Sequence, residues 1–240
     1  PLALTPHGHA ATGAETSAGV FPDDDTRARM LAEDRDVAVQ AARRGYLAIA
    51  PTVRGTGSIG LHDLSGRHDR DCRAHAMHCL LAGRTATGER VWDTMALIDW
   101  ALETFELDET NILCMGNSGG GMVTTYAAAI DPRIATAIAS CSFAPFVAPG
   151  GFIHHCDCNA VPGIMRYGEF WDVAALIAPR RSLVVHGKED PLFTVEECER
   201  AAAEVRRVYE AAGVAEAFEL RWGEAGHRFY KELMWGFIEV

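Results

Sequence analysis

Ile112-Leu113-Cys114-Met115-Gly116-Asn117-Ser118-Gly119-Gly120-Gly121 is the stretch on which the fold turns. Its first four residues are apolar without alternation, as suits a strand covered on both faces, and a helical run to Ile130 begins directly after the serine. Between them stands G-x-S-x-G, which lets a chain pass from strand to helix in one sharp turn with the serine at its apex. The residues two before and two after the serine approach so closely there that glycine is strongly favoured at both. With 23 Gly in 240 residues, random placement would give roughly 0.06 matches to the pattern, and the strand-to-helix context narrows it further.

Outward from this turn the same alternation recurs. Short apolar runs at 2–5, 46–50, 111–115, 134–141, 182–186 and 218–222 read as strands. Helical patterns fit 35–44, 120–130, 195–212 and 228–238, with Asp34 and Thr194 as N-caps. Val91, Met95, Ile98, Leu102 and Phe105 form one apolar stripe of a further helix, a core face. This succession predicts an α/β fold: a mostly parallel central sheet with helices on both faces, in a single domain over 1–240. Two stretches, 51–87 and 142–179, break the rhythm. The second carries Phe143, Phe146, Phe152, Tyr167, Phe170 and Trp171 and reads as a lid-like insertion, with at least half of these aromatics expected to be buried packing.

Composition bounds the function. At 48% hydrophobic and 23% charged the chain is globular, and a net charge of -11 repels nucleic acid and anionic membrane surfaces alike. No apolar window is long enough to span a bilayer. Seven cysteines, an odd count in a chain this long, argue for reduced thiols and a cytoplasmic protein. The chain begins without Met, so secretion stands as the alternative if a leader has been removed.

A serine nucleophile needs a base to take its proton and an acid to orient that base. Asp190 follows the buried run 182–186, and His227 follows 218–222, so Ser118, Asp190 and His227 keep the chain order of one large hydrolase superfamily. Glu189 is the nearest rival to Asp190, and a helix-capping carboxylate or a core histidine is the plain alternative for either position. His186, inside a strand, reads as structural. Two backbone N–H groups should receive the oxyanion: Gly119, after the nucleophile, and His9, in the turn His7-Gly8-His9 that follows the first strand.

These motifs, together with Arg54-Gly55-Thr56-Gly57, His155-Cys156-Asp157-Cys158-Asn159, Ala178-Pro179-Arg180 and Gly226-His227, resemble the α/β-hydrolase superfamily, in its dienelactone-hydrolase-like and acetyl xylan esterase-like branch. The resemblance covers nearly the whole chain and implies an α/β-hydrolase fold. Dienelactone hydrolase itself uses a cysteine nucleophile where this chain has Ser118, so lactone specificity is not carried over. Two strands usually precede the His-Gly turn, which here lies at the very start of the sequence, so those strands are either missing or trimmed away; Ala10 stands where glycine often continues that turn. If the strands are missing, the sheet edge left open is one route to a homodimer.

Other constellations are weaker. His154-His155-Cys156-Asp157-Cys158 and His75-x-x-His78 between Cys72 and Cys79 resemble metal ligands, but the C-x-C and H-H pairs read as too tight to converge on one ion, so no metal is expected and the cluster is taken to brace the lid. Disulfide pairing stays open. Asp23-Asp24-Asp25 reads as a solvated run leading a helix, and His62 and His68 as exposed loop residues. Arg54 is balanced between binding a substrate carboxylate or hydroxyl and a structural salt bridge. With Asn117, Phe143 and Trp171 it makes up the expected substrate-binding set.

The expectation is therefore a serine esterase acting on a small-molecule ester of short acyl type, with no cofactor. The alternatives are a peptidase or lactonase on the same fold, and a noncatalytic hydrolase-like binding protein. The peptidase is disfavoured because 240 residues leave no room for a filtering propeller.

Overall fold

The computed structural model describes residues 1–10, 12–56, 71–148 and 155–239. Their elements run β1 (Leu2–Leu4), α1 (Gly13–Ser17), α2 (Asp24–Ala32), α3 (Val37–Ala42), β2 (Leu47–Ile49), α4 (Asp71–Leu81), α5 (Ala86–Thr104), β3 (Ile112–Asn117), α6 (Gly119–Ile130), β4 (Ile134–Ser140), α7 (Phe170–Ala175), β5 (Arg181–Gly187), α8 (Val195–Ala211), β6 (Phe218–Gly223) and α9 (Lys231–Ile238). The strands lie in the order β2-β1-β3-β4-β5-β6, and every neighbouring pair is parallel.

The period-two alternation of side chains divides the core into two layers. Leu2, Leu4, Ile112, Cys114 and Val184 face α5, α6 and α8, where Ile98, Ala127 and Val205 meet them. Ala3, Leu113, Met115, Leu183 and Val185 face the other way, onto Val37 and Ala41 of α3 and Met234, Trp235 and Phe237 of α9. Both faces are apolar because both are covered, which is why these strands read as unbroken hydrophobic runs. The expected parallel sheet with helices on both faces is thus found, and each expected strand lies within a residue or two of its predicted bounds.

Several local expectations are corrected. Phe105 lies past the end of α5, is 40% exposed and meets Trp100 edge-on; the buried face of that helix is completed by Thr94 and Ala101 instead. Thr194 does cap α8 through its side chain, but Asp34 does not cap the helix that follows it; its side chain instead accepts from Lys231 N at the start of α9 at 3.4 Å. Its φ is 56°, and its carboxylate binds Arg228 at 2.6 Å and Lys231 at 3.3 Å, while Asp36 stands at the N-cap of α3. The acidic run does lead a helix, with Asp23 accepting from Thr26 N at 2.6 Å at the start of α2. Helix α4 occupies part of the stretch read as irregular.

In the 142–179 segment the aromatics divide. Phe143, Phe146 and Phe170 are buried, with ring centroids of Phe146 and Phe170 5.3 Å apart and of Phe143 and Phe170 5.8 Å apart. Tyr167 is 89% exposed, and Trp171 is half-buried beneath the Arg200 guanidinium. Gly57, His62, His68, Phe152 and His154 lie outside the described residues. Among the described residues, no helix is long and apolar enough to cross a membrane.

Phe170, fully buried and in ring contact with Tyr126, Phe143, Phe146 and His155, is central to this layer. Phe170→Ala should lower the unfolding free energy by about 3–5 kcal/mol, whereas Phe105→Ala should cost about 1 kcal/mol or less. Urea unfolding of both variants checks the contrast, and equal losses would contradict the assigned burial.

Candidate active site

The G-x-S-x-G turn is built by contacts that leave no room for side chains. Ser118 adopts φ 54° and ψ −122°, a region that non-glycine residues rarely enter and that costs about 1–3 kcal/mol. A Cβ on Gly116 would stand 2.3 Å from the carbonyl of Gly120, and a Cβ on Gly120 would stand 2.0 Å from the Pro6 carbonyl oxygen. The backbone around the serine is held by Ser118 N donating to Ser140 O at 2.8 Å and Met122 N donating to Ser118 O at 3.1 Å. Ser118 itself is half-buried at the end of β3.

The loop after β1 lies against this turn. A Cβ on Gly8 would fall 2.9 Å from Ser118 Cβ and 3.4 Å from Gly119 N, so the segment carrying His9 faces the residue after the serine. His7 fixes the loop. Its Nε2 accepts from Val53 N at 3.0 Å, which leaves Nδ1 to carry the proton and donate to Gly8 O at 2.7 Å. Burial holds this imidazole below its ordinary range, in keeping with a neutral ring.

Asp190 and His227 meet directly. Asp190 Oδ2 lies 2.8 Å from His227 Nδ1, with the Asp190 side chain 0% and the His227 side chain 21% exposed. Asp190 Oδ1 accepts from Leu192 N at 2.9 Å. Burial alone would raise this carboxyl, but the hydrogen bonds from His227 and Leu192 outweigh it and hold the group below its ordinary range. Glu189 is exposed, whereas it is Asp190 that meets the imidazole. Beside the pair sits Cys141, whose thiol is pushed up to about 12 by burial and by the Asp190 charge.

Ser118 and His227 line one cavity of about 150 Å³, together with Gly8, His9, Arg35 and Phe229. It opens at the carboxyl ends of the strands, where parallel sheets present their loops to ligands. Arg35 was not foreseen as part of it. Its Nη1 donates to Asn117 Oδ1 at 3.1 Å and its Nη2 to His227 O at 3.0 Å, and Glu33 pairs with it at 2.6 Å. One guanidinium thus ties the residue before the serine to the histidine loop.

The expected substrate-binding set is largely corrected. Asn117 does border the cavity, but its buried amide is consumed by Ser140 O, Arg228 O and Arg35. Arg54 is held by Asp93 and Glu89 and borders a separate groove with Thr85 and Trp92, so its structural reading prevails. Phe143 is core, and Trp171 packs against that core; neither borders the Ser118 cavity. His155 braces its segment through Ala144 O at 3.2 Å and contacts with Phe146, Phe170 and Phe193. Cys156 and Cys158 instead turn toward His9 and Cys72. No disulfide joins any described cysteines.

A sequence profile of the prolyl oligopeptidase family matches residues 81–233, a span that holds Ser118, Asp190 and His227. YtaP of Bacillus subtilis (strain 168), described as a candidate hydrolase, is 25% identical over 182 residues, which cover 73% of this chain and 60% of that protein. A candidate acetyl xylan esterase of Bacteroides fragilis NCTC 9343 superposes with a TM-score of 0.74 at 15% identity, over 99% of this chain and 70% of the other. Methylesterase BT1017 superposes with a TM-score of 0.70 at 20% identity, over 99% of this chain and 47% of the other. The chain therefore spans less than two thirds of the length of YtaP and less than half of the methylesterase, and the structural likeness is one of fold.

His186, wholly buried in β5 and accepting from Phe143 N at 3.2 Å, is drawn by burial from 6.5 to about 4. The unfolded chain takes up this proton near pH 6.5 while the folded chain resists until about 4. Stability from the neutral ring is therefore complete above pH 6.5 and is lost as pH falls toward 4. His7 and His75, also lowered by burial, add the same sign. Urea unfolding between pH 7 and 4.5 should show a decline approaching about 1.4 kcal/mol per pH unit for each such group. His186→Gln should flatten that slope, and an unchanged slope would refute the assignment.

Proposed function

The chain belongs to the prolyl oligopeptidase family, and from its α/β-hydrolase fold and site geometry we propose that it is a serine hydrolase cleaving carboxylic esters with short acyl groups. The observation that carries this reading is the Asp190–His227 hydrogen bond of 2.8 Å beside a cavity that Ser118 also lines. Ser118 Oγ attacks the ester carbonyl, and its proton passes to His227 Nε2. Asp190 keeps Nδ1–H of the ring aimed at itself and stabilises the imidazolium. Its lowered pKa suits that role, because the carboxylate orients the ring and does not itself take the proton.

The oxyanion that forms on the carbonyl is received by the N–H groups of Gly119 and His9, each worth about 3 kcal/mol of barrier. Collapse of the tetrahedral species breaks the ester bond, and His227 returns the proton to the departing alkoxide. Water, deprotonated by His227, then releases the acid from Ser118. None of these steps calls on a cofactor. A cavity of about 150 Å³ suits a small acyl group, in line with the methylesterase and the acetyl xylan esterase whose folds it shares.

The family match also favours a second reading, amide hydrolysis by the same residues, which demands better protonation of the leaving nitrogen. A fluorophosphonate probe should label Ser118, with labelling lost in Ser118→Ala and His227→Ala. Asp190→Asn should lower kcat by about 10⁴, because the ring would be held in the wrong tautomer. p-Nitrophenyl acetate should be cleaved faster than long-chain esters and faster than the matching anilide. Unlabelled folded protein would leave a binding protein as the better account, and an anilide preference would establish the peptidase.

A further inference from the structure

The cysteine-rich corner beside the cavity packs as a small buried cluster with Cys79 and Ala86, and it also brings a histidine up against three thiols. His9 comes from the loop after β1, Cys72 from α4, and Cys156 and Cys158 from the cap and first turn of a short 3-10 helix at Asp157–Asn159. Their ring nitrogen and three sulfurs all lie within 4.8 Å of one another. We propose that His9, Cys72, Cys156 and Cys158 form a tetrahedral zinc site that fastens the loop after β1 to α4 and to the 155–159 segment. This is independent of the esterase reading.

Geometry is the first argument. With Zn–S near 2.3 Å and Zn–N near 2.0–2.1 Å, tetrahedral angles set S···S edges at about 3.8 Å and S···N edges at about 3.5 Å. Cys72 Sγ and Cys156 Sγ are 3.7 Å apart, and His9 Nε2 and Cys158 Sγ are 3.1 Å apart, so these two edges lie within a few tenths of an ångström of the tetrahedral values, and the remaining edges are all under 4.8 Å. A disulfide does not account for the pair, since its bond length of about 2.05 Å is far shorter. The C-x-C spacing that looked too tight is workable because the 3-10 turn supplies only two donors, and the other two arrive from distant segments.

Charge is the second. Arg90 is 3% exposed, and its Nη1 donates to Cys158 Sγ at 3.1 Å. Its remaining partners are the Arg54 carbonyl and the Asn159 amide oxygen, Nη2 has no partner, and no carboxylate among the described residues pairs with it. A buried guanidinium needs a counter-charge. Zinc binding displaces to solvent whatever protons the four donors carry, and three thiolates with a neutral imidazole around a dication leave one net negative charge, which Arg90 balances. Soft sulfur donors with one imidazole select zinc over calcium or magnesium. The neighbouring His75, Cys79 and Glu89 also cluster, but Glu89 is already engaged by Arg54 and Arg84.

Purified chain, dialysed without chelator, should hold about one zinc per molecule by mass spectrometry of the metal. Replacing zinc by cobalt(II) should give the thiolate charge-transfer and intense visible bands of a tetrahedral sulfur-rich site. Cys72→Ser and Cys156→Ser should each reduce the retained zinc at least tenfold, and stripping the metal from the wild-type chain should lower its Tm. If a variant does not fold, the cobalt spectrum of the wild-type chain decides. A wild-type chain without stoichiometric zinc and without the cobalt bands, variants that keep their zinc, or recovery of Cys72 and Cys156 as a disulfide in metal-free protein would each overturn the proposal.

Discussion

A helix can follow a strand after a single residue only if the chain crosses itself at van der Waals distance, and that crossing is what the molecule is arranged around. The backbone of Gly120 runs so near the Pro6 carbonyl that one methyl group would collide at 2.0 Å. The same closeness brings the Gly8–His9 segment beside Ser118. Positive φ at the serine, small residues on either side and a neutral His7 buttressing the neighbouring loop are consequences of one steric requirement. The strain is borne by the surrounding β-ladder and not by the serine alone, since Ser118 N is tied to β4 through Ser140 O.

The sheet was legible in the sequence because strands buried on both faces show as unbroken apolar runs, and Ile112 to Met115 is the clearest. Ser118, Asp190 and His227 were legible because each closes a recognisable strand. Helix α4 was not, since its mixture of cysteine, histidine and alanine has no marked apolar stripe. Arg35 gave no sign of its position, because a guanidinium that spans two loops leaves no local periodicity. Phe143 and Trp171 misled for the opposite reason: aromatic residues in an irregular segment look like the wall of a pocket, and here Phe143 serves as core while Trp171 packs against it.

Polar groups in the interior show how closely the site depends on satisfied partners. Asn117, Arg35, Ser140 and Arg228 form a continuous set of hydrogen bonds under the serine turn, so the amide expected to greet a substrate is already committed. Asp34 extends that set by holding Arg228 and Lys231 at the start of α9. Removal of any one member would strand the others in a low-dielectric setting, where an unmet donor or acceptor costs about 1–3 kcal/mol.

The strand order has a bearing on how such a scaffold can change. From β1 the chain moves outward to β2, then returns past β1 to lay down β3 and continues in the other direction. Successive connections therefore diverge on either side of the β1–β3 boundary and leave a crevice there without any residue having to carve it. Lengthening or recomposing the loops that border this crevice alters what can enter while the ladder beneath keeps its register. New specificities are thus accessible by drift at the rim, and the hidden framework need not be rebuilt for each one.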